Sequence, residues 1–154
     1  MKLAEVSDVH LVQLMSWFDN EAQLTMWSGP NFRYPFTESS FKKDLKLSTL
    51  SSYSLLSPQG ELLAFGQYYL REKRCHLGRL VVNPVKRGQG IVATLIAKLT
   101  VKGKEHLQVN TCSLFVFEDN SNAIHAYQRL GFKQSEYPTD MPLIDCIYMV
   151  SDLS

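Results

Sequence analysis

Between Leu80 and Ala93 the chain reads Leu-Val-Val-Asn-Pro-Val-Lys-Arg-Gly-Gln-Gly-Ile-Val-Ala, a run that few folds accommodate. An apolar strand ends at Asn83-Pro84 and a loop follows. A helix is expected from Gly90 to about Lys102, where Ile91, Leu95, Ile96 and Leu99 recur at helical spacing. A helix start leaves about four N–H groups unpaired and carries partial positive charge. Gly88 and Gly90 remove the side chains that would keep a phosphate from those donors, and Arg87, with Lys86 beside it, adds formal charge. The segment reads as a pyrophosphate cradle; the plain alternative is a tight turn made by two glycines.

Gly88-Gln89-Gly90-Ile91-Val92-Ala93 also fits the dinucleotide-binding fingerprint, in which Ala can replace the last Gly. Three features count against it. Pro84 to Arg87 separate the glycines from the strand, where the fingerprint follows the strand directly. The ribose-binding acid belongs roughly 20 residues further on. Here the next strand ends at Phe117, and Glu118 and Asp119 stand about thirty residues after Gly88. The rest of the chain also lacks the repeated βαβ halves.

The remaining segments give a mixed α/β order: helices, hairpin, strand, helix, strand, helix, strands. A first helix begins after Ser7 or Asp8, with Val9, Val12 and Leu14 to Phe18 as its apolar stripe. Trp27 to Phe36, with Gly29, Pro30 and Pro35, reads as a loop, and Thr37 as the N-cap of a second helix containing Phe41 and Leu45. Strands over Tyr53–Leu56 and Glu61–Leu70 are joined by the turn Ser57-Pro58-Gln59-Gly60. A third strand runs from Cys75 to Val82, and Gly78 inside it marks a bulge or a close backbone approach. Thr111–Phe117 is a strand, Asn120–Leu130 a helix stopped by Gly131, and Leu143–Val150 a final strand. No repeat or linker divides the chain, so its 154 residues are expected to form one domain, 1–154.

The second informative segment, Leu114 to Phe132, reads Leu-Phe-Val-Phe-Glu-Asp-Asn-Ser-Asn-Ala-Ile-His-Ala-Tyr-Gln-Arg-Leu-Gly-Phe. Asn120, Ala123, Ile124 and Tyr127 share one helix face. Tyr127 lies about 10 Å along the axis from Asn120, and the small Ala123 leaves room between them for something slender. Alternatively, Tyr127 is a core aromatic and Asn120 merely a cap. Together, Leu80-x-Val82-x-Pro84 with Arg87-Gly88-x-Gly90, and Asn120, Ala123, Tyr127 with Gly131-Phe132, resemble the two motifs of the GNAT N-acetyltransferase superfamily. The likeness is strongest over residues 76 to 132.

That resemblance implies a central, mostly antiparallel sheet with flanking helices and two splayed parallel strands, here ending at Val82 and Phe117. It implies acetyl-CoA as cosubstrate and no metal. The amides of Arg87, Gly88, Gln89, Gly90, Ile91 and Val92 would hold the pyrophosphate. Leu80 and Val82 backbone would pair with the pantetheine arm, which Asn120, with Ala123 beside it, would also meet. Tyr127 would protonate the departing thiolate, as a phenol of pKa near 10 can. Two positions depart from the family: Val92 stands where it prefers Gly or Ala, and His76 where it commonly has a glutamate base. An imidazole of pKa near 6.5 can do that work directly or through water; a solvent-facing residue beside Arg74 is the other reading. Glu118, Glu72 and Glu21 are further possible bases.

Acceptors in the family bind beside the first helices, where this chain has Trp17, Trp27, Phe32, Tyr34 and Phe36 with Glu21 and Arg33. These rings can wall an amine site or close the core; for most, closing the core is the reading adopted. The acceptor, a primary amine on a small molecule or a protein, stays open, as does the choice of monomer or homodimer. The formal charge of +1 gives no electrostatic argument for nucleic acid or a membrane surface. No stretch approaches the ~18 apolar residues of a membrane span and no leader is evident, so a cytoplasmic protein is expected. Cys75, Cys112 and Cys146 are expected as buried packing residues, with no Cys-x-x-Cys to suggest zinc or a redox pair. The functional expectation is an N-acyltransferase acting by direct attack. The alternatives are an acyl-CoA sensor without turnover and a pure protein-interaction domain.

Overall fold

The computed structural model describes residues 1–151. Their order is β1 (Lys2–Glu5), α1 (Asp8–Met15), α2 (Glu21–Ser28), α3 (Glu38–Leu45), β2 (Ser51–Leu56), β3 (Leu62–Arg71), β4 (Arg74–Val82), a 3-10 turn (Pro84–Lys86), α4 (Ile91–Leu107), β5 (Cys112–Phe117), α5 (Ser121–Arg129), β6 (Lys133–Ser135) and β7 (Cys146–Ser151). The strands form one sheet in the order β1-β2-β3-β4-β5-β7-β6. It is mixed: β4 and β5 run parallel, whereas β1–β2, β5–β7 and β6–β7 are antiparallel. This is the α/β class the sequence predicted.

Local chemistry starts the helices where it should. Ser7 accepts from the His10 amide and Thr37 from the Ser40 amide, each in a reciprocal capping box. Asn20 caps α2 by accepting from the Gln23 amide at 2.9 Å, and α2 then carries Trp27 and Ser28, which the sequence had placed in a loop. The strands β1 and β6 were also unforeseen. Each is short, and each forms through pairing with β2 or β7.

By Cα proximity the chain forms two compact units, Met1–Gln67 with Arg79–Leu95, and Tyr68–Gly78 with the chain from Ile96 onward. In the first, Leu11, Leu14, Leu24, Phe41, Leu45, Phe65 and Val81 make the core. The buried face of α1 is thus Leu11 and Leu14, while Val9 and Val12 are 66% and 55% exposed, against the stripe expected of them. Trp17, Trp27, Phe32 and Phe36 pack on this core, with Trp27 stacked on Phe18 at 4.6 Å. Most of the candidate acceptor wall is therefore core. Arg33 grips Asp44 through two side-chain bonds and its backbone amide, and so pins the loop to α3.

In the second unit Cys75 lies beside Cys112 and His76 beside Ser113 in the parallel register. Cys75, Leu77, Cys112 and Leu114 are all at most 1% exposed. Cys75 hydrogen-bonds Cys112, which raises the Cys75 thiol, and burial adds to the shift. The left-handed backbone in β4 falls at Arg79 (φ 49°), and an added Cβ at the neighbouring Gly78 would make only an ordinary 3.7 Å contact.

The glycine that a close approach does require is Gly103 in α4. A Cβ there would stand 2.4 Å from Cys75 Sγ and 3.2 Å from the Tyr68 ring. Gly103→Ala gains about 1 kcal/mol of helix propensity. Overpacking, at about 1–3 kcal/mol, outweighs that gain, for a net loss of up to about 2 kcal/mol in urea unfolding. Adding Cys75→Ala to the same chain should recover part of the loss.

Candidate functional site

In the first unit the segment after β4 is built to leave donors bare. Asn83 ends the strand: its amide donates to Leu63 O at 2.9 Å, and its side-chain oxygen accepts from the Val85 amide. The Lys86 amide closes back on Asn83 O at 2.8 Å. Beyond that, the amides of Arg87 to Ala93 have no hydrogen-bond acceptor among the described residues, and only Thr94 bonds back, to Gly90 O at 3.5 Å. Gly88 and Gly90 have φ of 81° and 73°, a region a side chain would strain, and nothing lies within 4 Å of where a Cβ would sit on either. Bare amides, an open approach and a helix start are the requirements of an anion cradle. Arg87 is exposed and makes no ion pair among the described residues, whereas Lys86 pairs with Glu61 at 3.6 Å. Gln89 is exposed, Ile91 is buried, and Leu80, Val82 and Val92 are half-buried.

In the second unit Asn120 is the cap of α5, its oxygen accepting from the Ala123 amide at 3.3 Å. Gly131 (φ 98°) terminates the helix, and the Phe132 amide bonds Tyr127 O at 3.0 Å. The buried Phe132 ring meets the Tyr127 ring edge-on at 6.3 Å. The phenol of Tyr127 has no hydrogen-bond partner among the described residues, and burial raises its pKa, so it is a protonated donor at neutral pH.

His76 is not the solvent-facing residue that one reading of the sequence allowed. It is 2% exposed, its Nδ1 is 2.8 Å from Ser113 Oγ, and the Tyr69, Phe115 and Tyr148 rings surround it. Burial, with a smaller push from the Arg71 charge, lowers its pKa to about 3. The imidazole is therefore neutral at physiological pH.

Two further cations share that sheet face, unremarked by the sequence reading. Arg71 and Arg74 flank the two-residue turn Glu72-Lys73, whose φ values of 48° and 64° fit a type I′ hairpin. Residues flanking such a turn face one another, and so do Tyr69 and His76, two pairs further along and on the same face. Arg71 Nε donates to Tyr137 Oη at 2.9 Å and its Nη1 to Tyr69 Oη at 3.0 Å, with Cζ 5.0 Å from the Phe115 ring centre. Arg74 Nη1 donates to Tyr148 Oη at 3.4 Å, while its buried Nε has no partner. Alternation on both sides of a two-residue turn was the available signal for this pairing. Among the described residues no group of three or more His, Cys, Asp or Glu could hold a metal ion.

The buried imidazole links stability to pH. Between about pH 3 and 6.5 the unfolded chain carries a proton on His76 and the folded chain does not. Stability is therefore intact above pH 6.5 and falls as the pH drops toward 3, by up to about 4 kcal/mol from this group. Urea unfolding between pH 7 and 4 should show this slope, and His76→Gln should flatten it.

Residues 14–132 match the acetyltransferase (GNAT) family. The fold is also that of several solved N-acetyltransferases. The ribosomal-protein alanine N-acetyltransferase of Escherichia coli is 21% identical at a TM-score of 0.68, over 99% of this chain and 94% of that one. The spermidine N-acetyltransferase of Vibrio cholerae, in complex with CoA and spermine, is 16% identical at 0.74, over 97% and 93%. The PaiA N-acetyltransferase of Thermoplasma acidophilum, in complex with coenzyme A, is 16% identical at 0.70, over 99% and 98%. No helix among the described residues is long and apolar enough to cross a membrane. With a family match that spans both candidate segments, this chain belongs to the acetyltransferase (GNAT) family.

Proposed function

We propose that the chain acts as one domain that transfers an acetyl group from acetyl-CoA to a primary amine by direct attack. One observation carries the reading: the amides from Arg87 to Ala93 lack acceptors where two left-handed glycines leave the approach open. Such a cradle suits a diphosphate, and the same amides from Arg87 to Val92 are assigned to it. Backbone at Leu80 and Val82 pairs with the pantetheine arm. The side-chain oxygen of Asn120 is engaged in capping, so its amide NH2 serves that arm, and Ala123 leaves it room. Acetyl-CoA supplies the activated acyl group and departs as the thiol. Tyr127 gives its proton to sulfur as the carbon–sulfur bond breaks, and N–H groups near Leu80 polarise the carbonyl. His76 is the group assigned to take the amine proton, and its lowered pKa makes it a weak base for that step.

That weak basicity also favours a second reading, a module that binds acyl-CoA without turning it over. Two measurements separate the readings. Acetyl-CoA at 100 times its dissociation constant should stabilise the protein by about 2.7 kcal/mol, and Gly88→Val should abolish the shift. Tyr127→Phe should keep the shift and lower thiol release about 100- to 10,000-fold. A protein that shows the shift but releases no thiol with any amine is a sensor.

A further inference from the structure

Resting on that reading, we propose that Arg71 and Arg74 bind a carboxylate of the acceptor, so that the amine acetylated is a free amino acid or a similar small amino carboxylate. Two arginines facing each other across a hairpin repel, and a sheet stabilises itself by pairing opposite charges there. Neither lies within 4.0 Å of a carboxylate among the described residues. Arg71 is nevertheless held in place, by two phenol oxygens and by the faces of Phe115 and Tyr137 at 5.0 and 5.6 Å. These partners fix the guanidinium plane and leave Nη2 unengaged. Arg74 adds a second charge and a buried Nε that lacks an acceptor.

A planar fork of donors, oriented and uncompensated, matches a carboxylate through paired hydrogen bonds. The link to the reaction is His76. It shares the Tyr69 and Phe115 rings with Arg71 and feels the Arg71 charge, so an amine delivered to His76 brings its own substituents to this face. A polyamine would meet repulsion there; an α-amino acid would meet its counter-charge.

The test is free-thiol release with acetyl-CoA and three matched acceptor sets: amino acids, their amides and their decarboxylated amines, with spermidine as a fourth arm. Amino acids should be the preferred acceptors by at least about tenfold in kcat/KM, the least expected from a charged hydrogen bond. Arg71→Gln should raise the KM for the amino acid about 10- to 100-fold and that for the amide far less. Arg71→Lys, which keeps the charge without the fork, should recover part of the loss. The acetyl-CoA thermal shift reports that each variant is folded, and Arg74→Gln supplies an independent variant.

Amides or spermidine accepted as well as amino acids would overturn the proposal and leave the transferase standing. So would a preference for amino acids that survives both Arg71→Gln and Arg74→Gln. No thermal shift and no thiol release with any acceptor would remove the transferase reading itself.

Discussion

A parallel pair of strands cannot be closed by a tight turn; it needs a crossover, and here that crossover is α4. Most of what this chain can do follows from that constraint. The crossover has to begin just beyond the end of β4, so a helix N-terminus with its unpaired amides is created at the carboxyl end of a strand. In open α/β sheets such strand ends are where ligands bind. Gly88 and Gly90 then determine whether those amides can be reached.

The same parallel register sets the chemistry of the second unit. Placing Cys75 beside Cys112 and His76 beside Ser113 turns four residues distant in sequence into two buried pairs, one on each face of the sheet. The thiol pair packs where α4 must offer Gly103. The imidazole on the other face lies among aromatic rings and beside a cationic hairpin end. Desolvation and a nearby like charge act on it in the same direction, so its neutral form is the folded form. A carboxylate at this position would be drawn to Arg71. A histidine instead leaves the arginine pair without a counter-charge, and that gives this sheet face its capacity for an anion.

The aromatic residues illustrate how composition misleads when burial is unknown. Trp27, Phe32 and Phe36 have the makings of a ligand wall, yet they close the core of the first unit around Phe41 and Phe65. Arg33, which stands among them, is committed to Asp44. The rings at Tyr69, Phe115, Tyr137 and Tyr148 drew no attention in the sequence, and these are the ones that orient charged groups.

What the sequence determined by itself was whatever is settled within one turn of backbone. Ser7, Thr37 and Asn120 satisfy helix-start amides three residues ahead, and Gly131 takes a left-handed helix end. Asn83-Pro84 ends a strand, and Gly88 and Gly90 hold a turn that other residues resist. All are short-range hydrogen bonds or steric limits, so they were legible, and the cradle with them. Only the tertiary structure decided what depends on partners far along the chain. It chose Leu11 and Leu14 over Val9 and Val12 as the buried face of α1, because the packed neighbours lie on that side. It created β1 and β6, whose few residues have little strand preference until β2 and β7 pair with them. It put the left-handed residue of β4 at Arg79 and enclosed His76, since register and desolvation belong to the assembled sheet and to no single segment of it.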